Sequence, residues 1–101
     1  MLKIYGSDLC PDCREAKMNF DHYGIAYEYH DVTKSLRDLS IFLKMRDTLP
    51  VFDYYKEIGD IAFPACVKED GTVFVSWETF LKEQGLEVLH GETQGAACAI
   101  R

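Results

Sequence analysis

Two cysteines near the start of the chain, Cys10 and Cys13, are separated by Pro11 and Asp12. Thiols at this spacing can form half of a zinc site, close a disulfide that staples the fold, or cycle between dithiol and disulfide as a redox couple. These uses need different surroundings, because a metal needs further ligands whereas a redox couple needs one ionised, accessible sulfur. The residues around the pair therefore have to show which of these three uses applies.

A zinc site would need two further soft ligands at a matching spacing. The remaining cysteines and the histidines stand apart from one another, at Cys66, Cys98, His22, His30 and His90. We therefore expect no metal site within one chain, surface positions for the histidines, a small buried apolar role for Cys66 and no redox role for Cys98. A cluster shared between two chains stays as an alternative. Four unevenly spaced cysteines also argue against a disulfide-dense secreted scaffold.

The segments on either side of the pair predict a strand, a loop and a helix. Residues 2–5 are rich in β-prone residues, which predicts a first strand. Cys13, Ala16 and Phe20 then recur at helical spacing, so a helix is predicted to begin near Pro11. This arrangement places the first cysteine in the loop and the second in the first turn of the helix.

The rest of the chain alternates strands and helices. A strand is predicted at 25–32, and a helix from Leu36 to about Thr48 is marked by Leu39 and Leu43. A short helix follows at 51–58, and strands at 64–68 and 72–76 are joined by a turn at Asp70-Gly71. A last helix begins at Trp77 and is capped by Ser76. The helix between the first two strands requires those strands to be parallel. The Asp-Gly turn requires the last two strands to be antiparallel. The prediction is an α/β fold with a mixed four-stranded sheet flanked by three to four helices. Residues 1–85 are expected to form one domain and residues 86–101 a loose tail.

The two thiols are not equivalent in this setting. Cys13 shares a helix face with apolar residues and is expected to point inward, whereas Cys10 is expected to stay accessible. A helix N-terminus carries about half a positive charge, which lowers the pKa of a cysteine there and favours its thiolate. The negative charges of Asp8 and Asp12 disfavour a thiolate at Cys10, but we expect solvent to screen these aspartates. The positive charge of Arg14 favours the thiolate.

Composition limits the partners. The chain has 101 residues and a formal net charge of -6, with no cluster of Lys and Arg that would bind phosphate backbones. Its first residues show neither a basic-then-apolar leader nor a long apolar run. We expect a cytoplasmic monomer that binds neither nucleic acid nor membrane.

With the pair placed on strand, loop and helix, residues 1 to about 85 resemble the glutaredoxin branch of the thioredoxin-fold family. The resemblance rests on Cys10-Pro11-Asp12-Cys13 and on a Phe63-Pro64 step before a hairpin and a final helix. It implies that Pro64 is cis and faces the nucleophilic cysteine. It also implies that the backbone of Phe63 binds an extended substrate. Pro11 fixes φ at the helix start, which stiffens the bridge between the thiols, and it is expected to belong to the substrate-binding residues.

Two departures from the family concern glutathione. Glutaredoxins commonly carry a basic residue two positions before the first cysteine, where this chain has Asp8, and a Gly-Gly-x-Asp stretch after the hairpin, where it has Val75-Ser76-Trp77-Glu78. By resemblance Ser76 and Trp77 take the substrate-binding positions, and Lys34 or Arg37 could supply charge. We therefore expect weak binding of glutathione, or a different partner.

Two classes of function follow. The first is a thiol-disulfide oxidoreductase in electron transport and cell redox homeostasis, with Cys10 as nucleophile and Cys13 as resolving thiol, acting on glutathione mixed disulfides or disulfide-containing proteins without a bound cofactor. The second is a non-enzymatic thioredoxin-fold module that binds a protein or an iron–sulfur cluster through the cysteines.

Overall fold

A computed structural model describes residues 1–90 of the chain. The strands are β1 (Leu2–Gly6), β2 (Tyr27–Asp31), β3 (Ala65–Val67) and β4 (Val73–Phe74), and the helices are α1 (Pro11–His22), α2 (Leu36–Thr48), α3 (Asp53–Glu57) and α4 (Trp77–Glu83), with a 3₁₀ turn at Pro50–Phe52. No helix in this described part is both long and apolar enough to cross a membrane.

The strands form one mixed sheet in the order β2-β1-β3-β4. The β1 and β2 strands are parallel, while β3 is antiparallel to both β1 and β4. A turn closes the β3–β4 hairpin, where Gly71 has a positive φ of 91° and its amide donates to the carbonyl of Lys68. The α/β fold class and the mixed four-stranded sheet are thereby confirmed, with four α-helices in the described residues.

Alternate residues of β1 face two apolar clusters, because successive side chains of a strand point to opposite faces. Ile4 packs with Phe20 of α1 and Leu81 of α4. Tyr5 packs on the other face with Phe42 of α2 and Phe63. The sheet is therefore covered on both faces, and the end of β1 leads into the loop that carries Cys10.

The α2 helix has the predicted bounds but not the buried face that its leucines suggest. Leu36 is 84% exposed and Leu43 is 43% exposed, and the fully buried side chain of α2 is Phe42. The helix is held by the Ser35 cap, whose side chain accepts a hydrogen bond from the amide of Asp38. We call Leu36, Leu39 and Leu43 the leucine row.

The segment after α4 packs against α1. The buried side-chain amide of Asn19 donates to the carbonyl of Leu89 at 2.9 Å and accepts from its amide at 2.7 Å, and the hydroxyl of Tyr23 donates to the carbonyl of Glu87. Residues 86–90, which we expected to begin a loose tail, are thus fastened to the domain by backbone bonds to helix side chains. The boundary at residue 85 stays a prediction, and Cys98 lies outside the described residues.

Candidate active site

The Cys10-Pro11-Asp12-Cys13 motif spans the start of α1. Cys10 is the N-cap residue, with extended backbone angles of φ -95° and ψ 122°, and Pro11 opens the helix, where a missing amide proton costs nothing. The carbonyl of Cys10 accepts the first helical hydrogen bond, from the amide of Arg14 at 3.2 Å. Cys10 and Cys13 are both thiols in this structure, so the pair is described in its reduced form.

Cys10 is not exposed on the protein surface, so the accessibility expected from the sequence is wrong. Its exposed fraction is 3%, because it packs within the cluster that contains Phe42 and Phe63. Cys10 nevertheless lines a cavity of about 660 Å³ between the start of α1, α2 and the segment before β3. Access to this thiol therefore runs through a shaped cavity.

Cys13 is fully buried, as expected, and lies against the end of β1. Its sulfur accepts a hydrogen bond from the amide of Ser7, with a nitrogen–sulfur distance of 3.5 Å. A Cβ atom placed on Gly6 would lie 2.6 Å from that sulfur and 3.5 Å from the Cβ of Pro64. Glycine at the end of β1 is thus required by the close approach of the Cys13 sulfur and Pro64.

The peptide bond between Phe63 and Pro64 is cis, as the resemblance implied. Phe63 is 9% exposed and lines the same cavity as Cys10. The structure thereby brings the Phe63-Pro64 step and the cysteine motif together from distant parts of the chain. The binding of substrate by these residues and by Pro11 stays a prediction.

Asp12 is half-buried rather than exposed, and this overturns the expectation that solvent screens it. Its carboxylate accepts a hydrogen bond from the indole nitrogen of Trp77 at 3.3 Å. Burial first, and then the carboxylate of Glu78, raise the pKa of Asp12 to about 7, while the indole bond opposes the rise. A negative charge on Cys10 raises this pKa further, so the two groups are electrostatically coupled.

Asp8 has the opposite environment. Its carboxylate pairs with the ammonium of Lys17 at 2.6 Å and lies 4.0 Å from that of Lys34. The hydrogen bond from Lys17 is the main reason that the pKa of Asp8 is lowered. The guanidinium of Arg14 donates to the backbone carbonyl of Asp8. Lys34, which the sequence offered as a possible carboxylate ligand, is therefore directed towards Asp8.

Ser76 and Trp77 have structural contacts in the described fold. The hydroxyl oxygen of Ser76 accepts from the amide of Thr79 at 3.3 Å, which confirms the predicted cap of α4. Trp77 is 1% exposed, and its indole nitrogen is directed at Asp12. Their assignment to substrate binding is untested, and in this structure Trp77 contacts the motif from inside the protein.

The cavity beside Cys10 brings in residues that motif analysis missed. The leucine row of α2 lines one side, and Leu9 and Ile61 complete the apolar wall with Phe63. The signal that could have found them was the helical spacing of the three leucines, which in the sequence served only to mark α2. The cation in the lining, Arg46, donates to the backbone carbonyls of Asp60 and Ile61.

The cysteines do not form part of a larger ligand set in residues 1–90. No group of three or more histidine, cysteine, aspartate or glutamate side chains in that range could hold a metal ion. Cys66 is fully buried, as expected, and burial strongly raises the pKa of its thiol. An iron–sulfur cluster is held by four ligands, so the described part of one chain does not supply a complete set.

Comparison with known proteins agrees with this geometry. The glutaredoxin family model matches residues 2–51, which contain both cysteines of the motif but not the Phe63-Pro64 step. An uncharacterized protein of Haemophilus influenzae is 29% identical over 70 residues, which cover 69% of this chain and 81% of that protein. No solved structure matches the chain.

Proposed function

We propose that this chain, a glutaredoxin-related protein, is a thiol-disulfide oxidoreductase in which Cys10 attacks a substrate disulfide and Cys13 resolves the product. The observation that carries the proposal is the position of the two sulfur-bearing residues. Cys10 lies at the N-terminus of α1 and in the wall of a cavity, and Cys13 lies one turn further on, buried against Ser7.

The proposed reaction moves two electrons from the pair to the substrate. The thiolate of Cys10 attacks one substrate sulfur, so that a mixed disulfide forms and the first substrate thiolate leaves and takes a proton. Cys13 then loses its proton and attacks the sulfur of Cys10, which releases the second substrate thiolate and leaves a Cys10–Cys13 disulfide. A thiol reductant, such as glutathione or a dithiol protein, has to reduce this disulfide before the next turnover.

The N-terminus of α1 supports the choice of Cys10 as nucleophile. The partial positive charge of a helix N-terminus stabilises a thiolate, and the amides of the first turn point at the same place. The alternative nucleophile, Cys13, is fully buried and lies beneath the end of β1. An attacking sulfur has to approach its target in line, so the cavity favours Cys10.

We further propose that glutathione is a weak substrate and that protein disulfides are the main ones, with the protein acting as a monomer in the cytoplasm. Asp8 occupies the position where glutaredoxins commonly have a cation, and its carboxylate engages the nearby ammonium groups of Lys17 and Lys34. The side chain of Ser76 is engaged with Thr79. Both features reduce the attraction for the two carboxylates of glutathione.

Cysteine variants test the proposal. Cys10→Ser is expected to abolish reduction of both a small disulfide and a protein disulfide, whereas Cys13→Ser is expected to accumulate mixed disulfides with protein substrates. Cys66→Ala is the control, because this cysteine is buried in the core away from the motif. Full activity of Cys10→Ser would contradict the proposal.

Visible absorbance separates the redox couple from the cluster-binding alternative. We expect freshly purified protein to be colourless and to lose two free thiols per chain on mild oxidation. A brown protein whose colour disappears in both cysteine variants would instead support cluster binding.

A further inference from the structure

The leucine row presents an apolar surface beside the cavity that contains Cys10. Leu36, Leu39 and Leu43 line that cavity, and they also line a second depression of about 460 Å³ on α2. Leu36 is 84% exposed, and Leu9, at the other side of the cavity, is 81% exposed. The apolar surface thus extends beyond the cavity on both sides of Cys10.

The polar groups in the cavity wall are bonded within the protein. The hydroxyl of Ser7 lies 3.3 Å from that of Thr33 and accepts from the amide of Leu9. Arg46 donates to the carbonyls of Asp60 and Ile61. A ligand in this cavity therefore meets mostly aliphatic and aromatic carbon, with Cys10 as the reactive group in the wall.

We propose that the leucine row and this cavity bind apolar side chains that flank the target cysteine in a polypeptide disulfide. This inference rests on the proposed function, because it assigns the substrate class of the same thiol. A cavity of about 660 Å³ is within the range of roughly 300 to 1,000 Å³ that small ligands occupy, so it holds one or two side chains.

A polypeptide fits this surface better than glutathione does. The tripeptide carries two carboxylates, whereas the chain has a net charge of -6 and the cation of the wall is engaged by backbone carbonyls. A polypeptide next to Cys10 can also cover Leu36 and Leu9, which line the cavity but are 84% and 81% exposed. Removal of such leucine side chains from water provides the favourable free energy of binding.

Matched peptide substrates test the inference. Two short acetylated and amidated peptides, one with Leu-Cys-Leu and one with Ser-Cys-Ser at the centre, are prepared as mixed disulfides with mercaptoethanol. Both are uncharged at the variable positions, so that net charge does not affect the comparison. Pre-reduced full-length protein reacts with each in a single turnover, which needs no added reductant, and quenched alkylation with mass spectrometry gives the rate constant.

We expect the leucine peptide to react about tenfold faster than the serine peptide, since a single methylene in an apolar pocket is worth at least about tenfold. Leu36→Ser and Leu43→Ser are expected to reduce that ratio to below about threefold. Both leucines are substantially exposed, so these variants are expected to fold. Ile58→Ser is the control, because Ile58 is 48% exposed and lies outside both concave surfaces.

Hydroxyethyl disulfide, which has no side chains, distinguishes the two proposals. If the protein reduces it but treats the two peptides equally, the subsite inference fails and the oxidoreductase proposal stands. If the protein reduces none of the disulfides, the proposed function itself fails. Two other results would overturn the subsite inference. One is faster reduction of a glutathione mixed disulfide than of the leucine peptide. The other is an equal increase in rate for all substrates in Leu36→Ser, which is expected if another segment or a second copy of the chain covers the leucine row.

Discussion

Replacement of Asp12 by asparagine is expected to remove a pH-dependent loss of stability. Asparagine keeps an oxygen that can accept the hydrogen bond from the indole of Trp77, but it carries no charge. The substitution therefore isolates the ionisation of a half-buried carboxyl group. The expected consequence is a more stable protein above neutral pH and little change in acid.

The sign follows from the raised pKa of Asp12. The carboxyl group has a pKa of about 7 in the folded protein, against an ordinary value of 3.8. Between these values the folded state binds more protons than the unfolded state, so the free energy of unfolding falls as the pH rises. The destabilisation is absent below about pH 4 and complete above about pH 7.

The size follows from the same shift. About three pKa units correspond to roughly 4 kcal/mol for a group fully shielded from solvent. Because Asp12 is only half-buried, we reduce this to about 2 kcal/mol to allow for solvent screening. The difference in unfolding free energy between Asp12→Asn and the parent protein is therefore expected to grow by about 2 kcal/mol from pH 4 to pH 8.

The assay is urea denaturation of the reduced protein, followed by far-UV circular dichroism at several pH values. Circular dichroism is preferred because the fluorescence of Trp77 responds directly to its hydrogen-bonded neighbour. Asp8, Asp31 and Asp70, whose pKa values are lowered, contribute stability that is lost below their ordinary values. These contributions are common to both proteins and cancel in the difference.

The control is Asp47→Asn, on the exposed side of α2. A difference curve for Asp12→Asn that stays flat from pH 4 to pH 8, or that declines with pH, would refute the burial argument. The coupling to Cys10 adds a second check. Alkylation of Cys10 removes the possibility of a thiolate, so the pH midpoint of the difference curve is expected to move towards acid.

Four other predictions concern the motif and its supports. Gly6→Ala is expected to cost about 1 to 3 kcal/mol in urea denaturation and to slow resolution by Cys13, because the added methyl group meets that sulfur at 2.6 Å; unchanged stability would contradict the close packing. Ser76→Ala is expected to cost about 1 kcal/mol by loss of the α4 cap, and no change on denaturation would show that the cap is replaced by solvent. Cys66 is expected to resist alkylation in native protein and to react in denaturant, whereas native reaction as fast as that of Cys10 would refute its burial. The alkylation rate of Cys10 is expected to rise with a midpoint below about pH 8.5, and a midpoint at or above that value would count against the helix effect.

Most of the secondary structure could be predicted because it depends on neighbours in the chain. Pro11 opens α1, Ser76 caps α4, and Gly71 closes the hairpin, each at the predicted place. The cis bond before Pro64 followed from a family resemblance rather than from the local residues. The helix start, the cap and the turn each depend on a few adjacent positions, so the order of residues in the chain is enough to predict them.

The environment of the site could not be predicted in this way. The leucine row has the regular spacing of one helix face, yet Leu36 is 84% exposed and the buried side chain of α2 is Phe42. The segment containing Leu89 has no periodic pattern, but the side-chain amide of Asn19 binds its backbone from 70 positions away. Such contacts depend on the positions of whole elements, which a periodic pattern does not specify.

The sequence alone determined that two thiols lie at the start of a helix after a first strand, because strand alternation, helix spacing and the proline at the helix start are local properties. Only the tertiary structure decided how those thiols are exposed and charged. Cys10 is enclosed by α2 and Phe63, and Asp12 acquires its high pKa from burial near Glu78, beside an indole that is 65 positions away. Burial and dielectric environment arise from residues that are distant in sequence and meet only in the folded chain.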